Sequence, residues 1–193
     1  RNPDDKAKLY KEKENINQFL RLSSFAEMML VHENALVKVD PDIGYEQLAL
    51  LGCGITTGLG AVLKTARITP GCTVAVIGCG GVGLNVIQGA RIAGALRIIA
   101  VDTVQNKLQM AIDHGATDIV NAISQNVVEE IIQNTKGGVD YSFDAIGTKI
   151  TAEQSYEIIR PGGTATIVGL IPQGVKIELD GVGFIDEKNI QGS

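Results

Sequence analysis

"VAVIGCGGVGLN", Val74 to Asn85, joins a β-rich apolar run to a glycine cluster and then to a helical pattern. Val74–Ile77 has no polar alternation, so it reads as a short strand buried on both faces of a parallel sheet. Gly78, Gly80 and Gly83 then fit G-x-G-x-x-G. In that pattern the first glycine permits a tight turn and the second lets backbone approach a pyrophosphate. The third lets helix and strand pack closely. The free N–H groups and dipole of the opening helix favour the negative charge. Alone the pattern is a weak signal. Here a strand precedes it and a helix follows, which makes Gly78, Gly80, Gly81 and Gly83 candidate contacts of a dinucleotide.

The next β-rich run, "LRIIAVD", ends in Asp102, nineteen residues after Gly83, close to the roughly 20 expected of a ribose-binding acid. A carboxylate there can accept both ribose hydroxyls of NAD and repels the 2′-phosphate of NADP, so NAD is the expected cofactor. Cys79 inside the loop and Cys72 before the strand read as small packing residues.

Outward from this unit the alternation continues. "NKLQMAIDHG" predicts a helix stopped at Gly115, "TDIVN" a strand, "VVEEIIQNT" a helix, and "VDYSFDAIG" a strand. "TAEQSYEII" predicts a helix, and "GGTATIVG" and "NIQGS" two further strands. Five or six strands alternating with helices indicate a doubly wound parallel α/β sheet of Rossmann type. Upstream, "FAEMMLV" and "ALVKV" have strand character on the near side of a turn at Asp40-Pro41-Asp42. The polar residues 1 to 18 read as an exposed loop. From Glu46 to Arg67 the pattern is helical, interrupted by glycines around Cys53.

The 193 residues are 45% hydrophobic and carry a net charge of -5, an ordinary globular balance with no electrostatic reason to expect nucleic acid or an anionic membrane as partner. Asn85, Gln88, Arg91 and Arg97 break the apolar stretch from 72 to 101, and no span of about 20 apolar residues is expected. No secretory pattern opens the sequence. Three cysteines make no disulfide framework, so the expected compartment is the cytoplasm. Arg1 in place of a methionine raises the expectation of a piece of a longer protein or of a processed one.

A second glycine cluster, "LLGCGITTGLG" from Leu50 to Gly60, has no β-rich run before it and no strand-plus-acid after it. It is therefore not read as a phosphate loop. Its Cys53 is either a small buried hydrophobe, the usual fate of a lone cysteine, or one thiolate ligand of a metal.

The order "LLGCGITTGLGAV", "TVAVIGCGGVGLNVIQGARIAGALRIIAVD", "GATDIVN", "GGVDYSFDAIG" closely resembles the zinc-dependent, medium-chain alcohol dehydrogenases. The resemblance runs from about Phe19 to the end and implies an oxidoreductase using NAD and Zn2+ on a small-molecule alcohol or aldehyde. It implies that Cys53 is a ligand of the catalytic zinc and that Thr57 and Val82 press on the nicotinamide ring. Asp102 and Lys107 match adenosine-ribose contacts, Ile146 and Gly147 the adenosine side, and Val168 the carboxamide contact. Phe19 and Leu20 match a segment lining the substrate pocket.

The same resemblance implies that residues 1–53 are part of a catalytic domain, that 54–193 form the nucleotide domain, and that the full-length protein is a homo-oligomer. The family's other zinc ligands, its proton-relay hydroxyl and its four-cysteine structural lobe match nothing here, and the chain is expected to be catalytically incomplete. A thiol-adduct (formaldehyde-type) dehydrogenase of the same superfamily and a non-catalytic nucleotide-binding module are the alternatives. His32 beside Glu33 reads as a solvated loop residue rather than the missing ligand, and His114 as a last-turn residue suited to a helix dipole.

Overall fold

The computed structural model describes residues 9–11, 13–16, 24–25, 27–39 and 42–193. The chain divides into two compact units, Arg1–Gly44 and Tyr45–Ser193.

In the first unit β1 (Leu9–Lys11) and β2 (Glu14–Ile16) form an antiparallel hairpin, with Leu9 opposite Ile16 and Lys11 opposite Glu14. This corrects the expectation of an unstructured loop over residues 1 to 18, as far as those residues are described. The strands expected in "FAEMMLV" and "ALVKV" are absent among the described residues. Their place is taken by extended chain around one 3-10 turn at Glu33–Ala35. The runs are β-prone in composition, but no partner strand pairs them, and propensity without pairing is a weak determinant of a strand.

The second unit opens with a helix, α1 (Tyr45–Ala66). Its glycines were expected to interrupt it, yet it runs through them, with wide π turns at Leu51–Ile55 and Ala61–Ala66. Gly52 and Gly54 cost helix propensity of about 1 kcal/mol each, and the packing of the helix outweighs that cost. A methyl group on Gly58 would come within 2.5 Å of the Asn85 Cβ and 2.7 Å of the Val82 carbonyl oxygen. The absent side chain is what lets α1 lie directly on the next helix. By length and composition alone, α1 is also apolar enough to cross a membrane, with a mean hydropathy of 1.5 over its best window. Glu46, Gln47 and Lys64 interrupt it, so it is not the unbroken apolar run of about 20 residues whose absence was expected. Of its buried residues, Gly58 lies against the next helix, and Ala61 and Val62 belong to the core shared with the sheet.

Then the regular alternation follows: β3 (Thr73–Ile77), α2 (Gly81–Ile92), β4 (Arg97–Asp102), α3 (Gln105–His114), β5 (Asp118–Asn121), α4 (Val127–Thr135), β6 (Val139–Asp144), α5 (Lys149–Glu157), β7 (Ile159–Ile167) and β8 (Asn189–Gly192). The six strands β3 to β8 form one parallel sheet in the order β5-β4-β3-β6-β7-β8. Counted from β3, this is the spatial order of the doubly wound dinucleotide-binding fold, as expected.

Side chains of each central strand alternate between two cores. Val74, Val76, Ile98 and Ala100 face α1, α2 and α3. Ala75, Ile77, Ile99 and Val101 face α4, α5 and the Ile158–Ile159 corner. The order of the strands also reverses at β3, whose neighbours are β4 on one side and β6 on the other. The carboxyl ends of these strands thus border the crevice where open α/β sheets place their ligands.

Candidate cofactor site

Gly78, one residue past β3, has φ of 96°, a left-handed conformation that a side chain would strain. Its N–H donates to the Val101 carbonyl at 2.7 Å, tying the turn to β4. A Cβ on Gly83 would overlap the Gly78 carbonyl oxygen, so helix α2 starts hard against the turn. Gly80 and Gly81 are different: a methyl group on either would meet nothing within 4 Å. That is the bare approach to backbone a pyrophosphate needs. Gly80 caps α2 without a side-chain hydrogen bond, which leaves the helix's first N–H groups without a side-chain acceptor. Asn126, by contrast, caps α4 by accepting from Val128 and Glu129.

Asp102 ends β4 with 7% of its surface exposed. Its Oδ2 accepts the Cys79 N–H at 2.8 Å and its Oδ1 the Val104 N–H at 2.9 Å. Each oxygen keeps a further lone pair. The carboxylate is therefore fixed at the mouth of the glycine turn with acceptor capacity remaining. The exposed Lys107 on α3 stands near enough for its charge to act on Cys79.

Cys79 is buried and its Sγ–H donates to the Val101 carbonyl at 3.6 Å. Burial, with the Asp102 charge adding to it, pushes its thiol up to about 12. Burial, again with a neighbouring carboxylate, Asp140, pushes Cys72 up to about 11. Both are inert packing thiols.

Thr57, half-buried on α1, precedes Gly58, which rests on Val82. The structure thus brings together the helices that carry these two residues. A Cβ on Gly54 would stand 3.9 Å from the Gly81 carbonyl oxygen, so the π turn bearing Cys53 abuts the first turn of α2. Across the crevice, Ile146 reaches over the glycine turn: a methyl on Gly78 would come within 2.5 Å of its Cγ1. Gly147 follows it, packed on the Gly169–Leu170 backbone. Val168 is half-buried one residue past β7, its N–H bonded to the Asp144 carbonyl at 2.9 Å. Phe19 and Leu20 lie outside the described residues.

The glycine turn and Asp102 therefore fit a dinucleotide. A catalytic zinc is another matter. Cys53 is exposed, and among the described residues no three His, Cys, Asp or Glu side chains come together as metal ligands would. Catalytic zinc commonly takes three protein ligands, so the described residues do not by themselves fit a zinc site. His32 is exposed in the first unit, where its Nδ1 accepts the Asn34 N–H at 3.2 Å. His114 closes α3, its Nδ1 2.7 Å from the Met110 carbonyl. A carbonyl only accepts, so that ring nitrogen carries the proton.

The family model for zinc-binding dehydrogenases matches residues 81–193. The chain belongs to the zinc-binding dehydrogenase family. Among curated relatives of this family, the S-(hydroxymethyl)glutathione dehydrogenase of Saccharomyces cerevisiae is 42% identical over 182 residues, covering 91% of this chain and 47% of its own. The crystal structure of benzyl alcohol dehydrogenase from Acinetobacter calcoaceticus superimposes with a TM-score of 0.87 at 35% identity, over 91% of this chain and 49% of that one. A chain from Sinorhizobium meliloti 1021, described as a zinc-binding dehydrogenase and solved bound to NADP, superimposes with a TM-score of 0.69 at 33% identity, over 73% and 42%. The chain spans about half the length of the relatives it matches.

One residue of the crevice was not singled out from the sequence, although a weak signal for it was there. Asp144 is fully buried between the Ile146–Gly147 turn and β7. That signal was an aspartate ending an expected strand, followed at the second and third residues by Ile146 and Gly147, the pattern of an Asx turn.

Proposed function

We propose that the whole protein is an NAD-dependent oxidoreductase, catalysing zinc-assisted hydride transfer between an alcohol and its aldehyde. The observation that carries this reading is the open Gly80–Gly81 backbone facing the fixed carboxylate of Asp102. The turn and the uncapped start of α2 take the pyrophosphate, Asp102 accepts the ribose hydroxyls with Lys107 beside it, and Ile146 and Gly147 cover the adenosine side. Thr57 and Val82 orient the nicotinamide from one side and Val168 holds its carboxamide. When bound, NAD supplies the hydride acceptor. Fixing both reactants in one geometry is the protein's main contribution. Cys53, on the turn against α2, is one ligand of the family's zinc, and the 193 residues alone are catalytically incomplete. In this reading 1–53 belong to the catalytic part and 54–193 bind the nucleotide, so the functional boundary falls within α1. The substrate pocket includes Phe19 and Leu20.

A second reading has a specific support. Several curated relatives, from Saccharomyces cerevisiae, Synechocystis and Photobacterium damsela, are S-(hydroxymethyl)glutathione dehydrogenases, which favours a thiol adduct over a simple alcohol as substrate. Assays of the whole protein with benzyl alcohol and with S-(hydroxymethyl)glutathione separate the two.

Calorimetry tests the cofactor assignment. NADH is expected to bind the chain more tightly than NADPH, and Asp102→Gly to weaken NADH by about tenfold or more, through loss of charge-assisted hydrogen bonds worth about 1.5–3 kcal/mol each. Equal affinity of the unsubstituted chain for both nucleotides overturns the assignment. Metal analysis tests Cys53: the whole protein is expected to carry zinc and to lose it with its turnover on Cys53→Ala. A zinc-loaded, active Cys53→Ala protein returns that residue to packing. Turnover by the 193-residue chain overturns its incompleteness.

A further inference from the structure

Asp144 is a fully buried carboxylate to which the function above gives no task. It closes β6 at the carboxyl end of the sheet, in register with Ile167 of β7. Its Oδ1 accepts the N–H of Ile146 at 2.9 Å and of Gly147 at 3.1 Å, and its Oδ2 takes a longer bond from Gly147 at 3.3 Å. Its main-chain carbonyl accepts the N–H groups of Val168 and Gly169, both at 2.9 Å. One residue thus fastens the loop after β6 with its side chain and the loop after β7 with its backbone.

The fastening is tight. Gly147 has φ of 86°, and a methyl on it would stand 2.5 Å from the Gly169 carbonyl carbon and the Leu170 nitrogen. The turn therefore has little freedom to settle elsewhere while β7 stays in place. Its position in turn sets Ile146 against Gly78, on the nucleotide turn itself.

We infer that Asp144 is a positioning residue for the cofactor, holding Ile146 and Gly147 in the one arrangement that receives the adenosine side of the nucleotide. This rests on the NAD reading above. A buried carboxylate whose only service is stability would move the melting temperature and leave the affinity of the folded protein alone. The conservative variant separates the two. Asp144→Asn keeps a carbonyl oxygen where Oδ1 now takes both principal N–H bonds, whereas Asp144→Ala leaves two N–H groups unpaired.

The experiment is fluorescence titration of NADH onto the unsubstituted chain and onto both variants, with circular dichroism to establish that each is folded. Asp144→Ala is expected to weaken NADH by about tenfold and Asp144→Asn by no more than about threefold. In the whole protein, KM for NAD rises in Asp144→Ala while kcat and the KM for the alcohol stay near their original values. If Asp144→Ala does not fold, Asp144→Cys, whose sulfur is only a weak acceptor for the two N–H groups, takes its place with the same expected loss. A folded Ala or Cys variant that binds NADH as the unsubstituted chain does, or an Asn variant as weak as they are, overturns the positioning role alone. An unsubstituted chain that binds no NADH overturns the NAD reading, and the inference with it.

Discussion

At the scale of single residues, Gly80 and Gly83 belong to one motif and differ in what a methyl group would meet. On Gly83 it would overlap the Gly78 carbonyl; on Gly80 it would meet open space. Gly83→Ala is therefore expected to destabilise the fold by about 1–3 kcal/mol or more, as overpacking does, and to lower the melting temperature before any ligand is added. Gly80→Ala is expected to leave the melting temperature within about 2 °C of the original and to abolish NADH binding, because its methyl takes the pyrophosphate's space. Thermal melts and NADH titrations of the two variants, side by side, check the division. The motif's spacing was legible in the sequence because glycine is irreplaceable at these points. Asp144 was legible only as an Asx-turn pattern; its burial, and the second loop held by its main-chain carbonyl, depend on β7 lying beside it.

At the scale of elements, each βα unit could be read because a run of β-branched residues, a polar-faced helix and a stopping glycine recur in phase. The readings failed where local pattern had no partner to meet, as in 25–31 and 35–39, or where packing overrode propensity, as in α1. Edge strand β5 shows what holds such an element in register. Arg97 on β4 pairs both guanidinium arms with Asp118 on β5, Nη2 to Oδ1 at 2.6 Å and Nε to Oδ2 at 2.9 Å, and donates its Nη1 to the Asn134 carbonyl at the end of α4. The hydrogen bonds from Arg97, the largest cause, hold Asp118 below its usual carboxylate value. A depressed folded pKa stabilises at pH values above the unfolded one, and that stabilisation is lost as pH falls through the folded value. The pair is about a third exposed, so its worth is about 1 kcal/mol or less. Arg97→Met is expected to lower stability by that amount at pH 7 and to flatten the decline below about pH 4. Urea midpoints measured from pH 7 down to pH 3 check both.

At the scale of the molecule, the two cores share their strands. Val74 and Val76 serve one core and Ala75 and Ile77 the other, from a single five-residue β3. Neither face can open without dismantling the sheet that the other needs. Ile98→Ala on one face and Ile131→Ala on the other are each expected to cost about 2–5 kcal/mol and to shift one common transition rather than create a second. Urea unfolding followed by far-ultraviolet circular dichroism checks this; two resolved steps in either variant contradict it. The fold was legible because this alternation is written into adjacent residues. Of the zinc site proposed for the whole protein, the sequence offered only Cys53 as a candidate ligand, because metal ligands gather from separated parts of a sequence and no local spacing announces them.

The double duty proposed for Asp102 would constrain how this protein can change over generations. The carboxylate that accepts the Cys79 N–H, and so steadies the glycine turn, is also the one expected to refuse a phosphorylated ribose. A lineage moving toward the phosphorylated nucleotide cannot exchange that side chain freely. An early loss leaves the Cys79 N–H without its acceptor, at a cost of about 1–3 kcal/mol, before any benefit from the new ligand exists. The accessible order places a compensating acceptor in the turn first and the loss of Asp102 second. The two substitutions are thus expected to be epistatic, with the order in which the fold tolerates them set by that hydrogen bond.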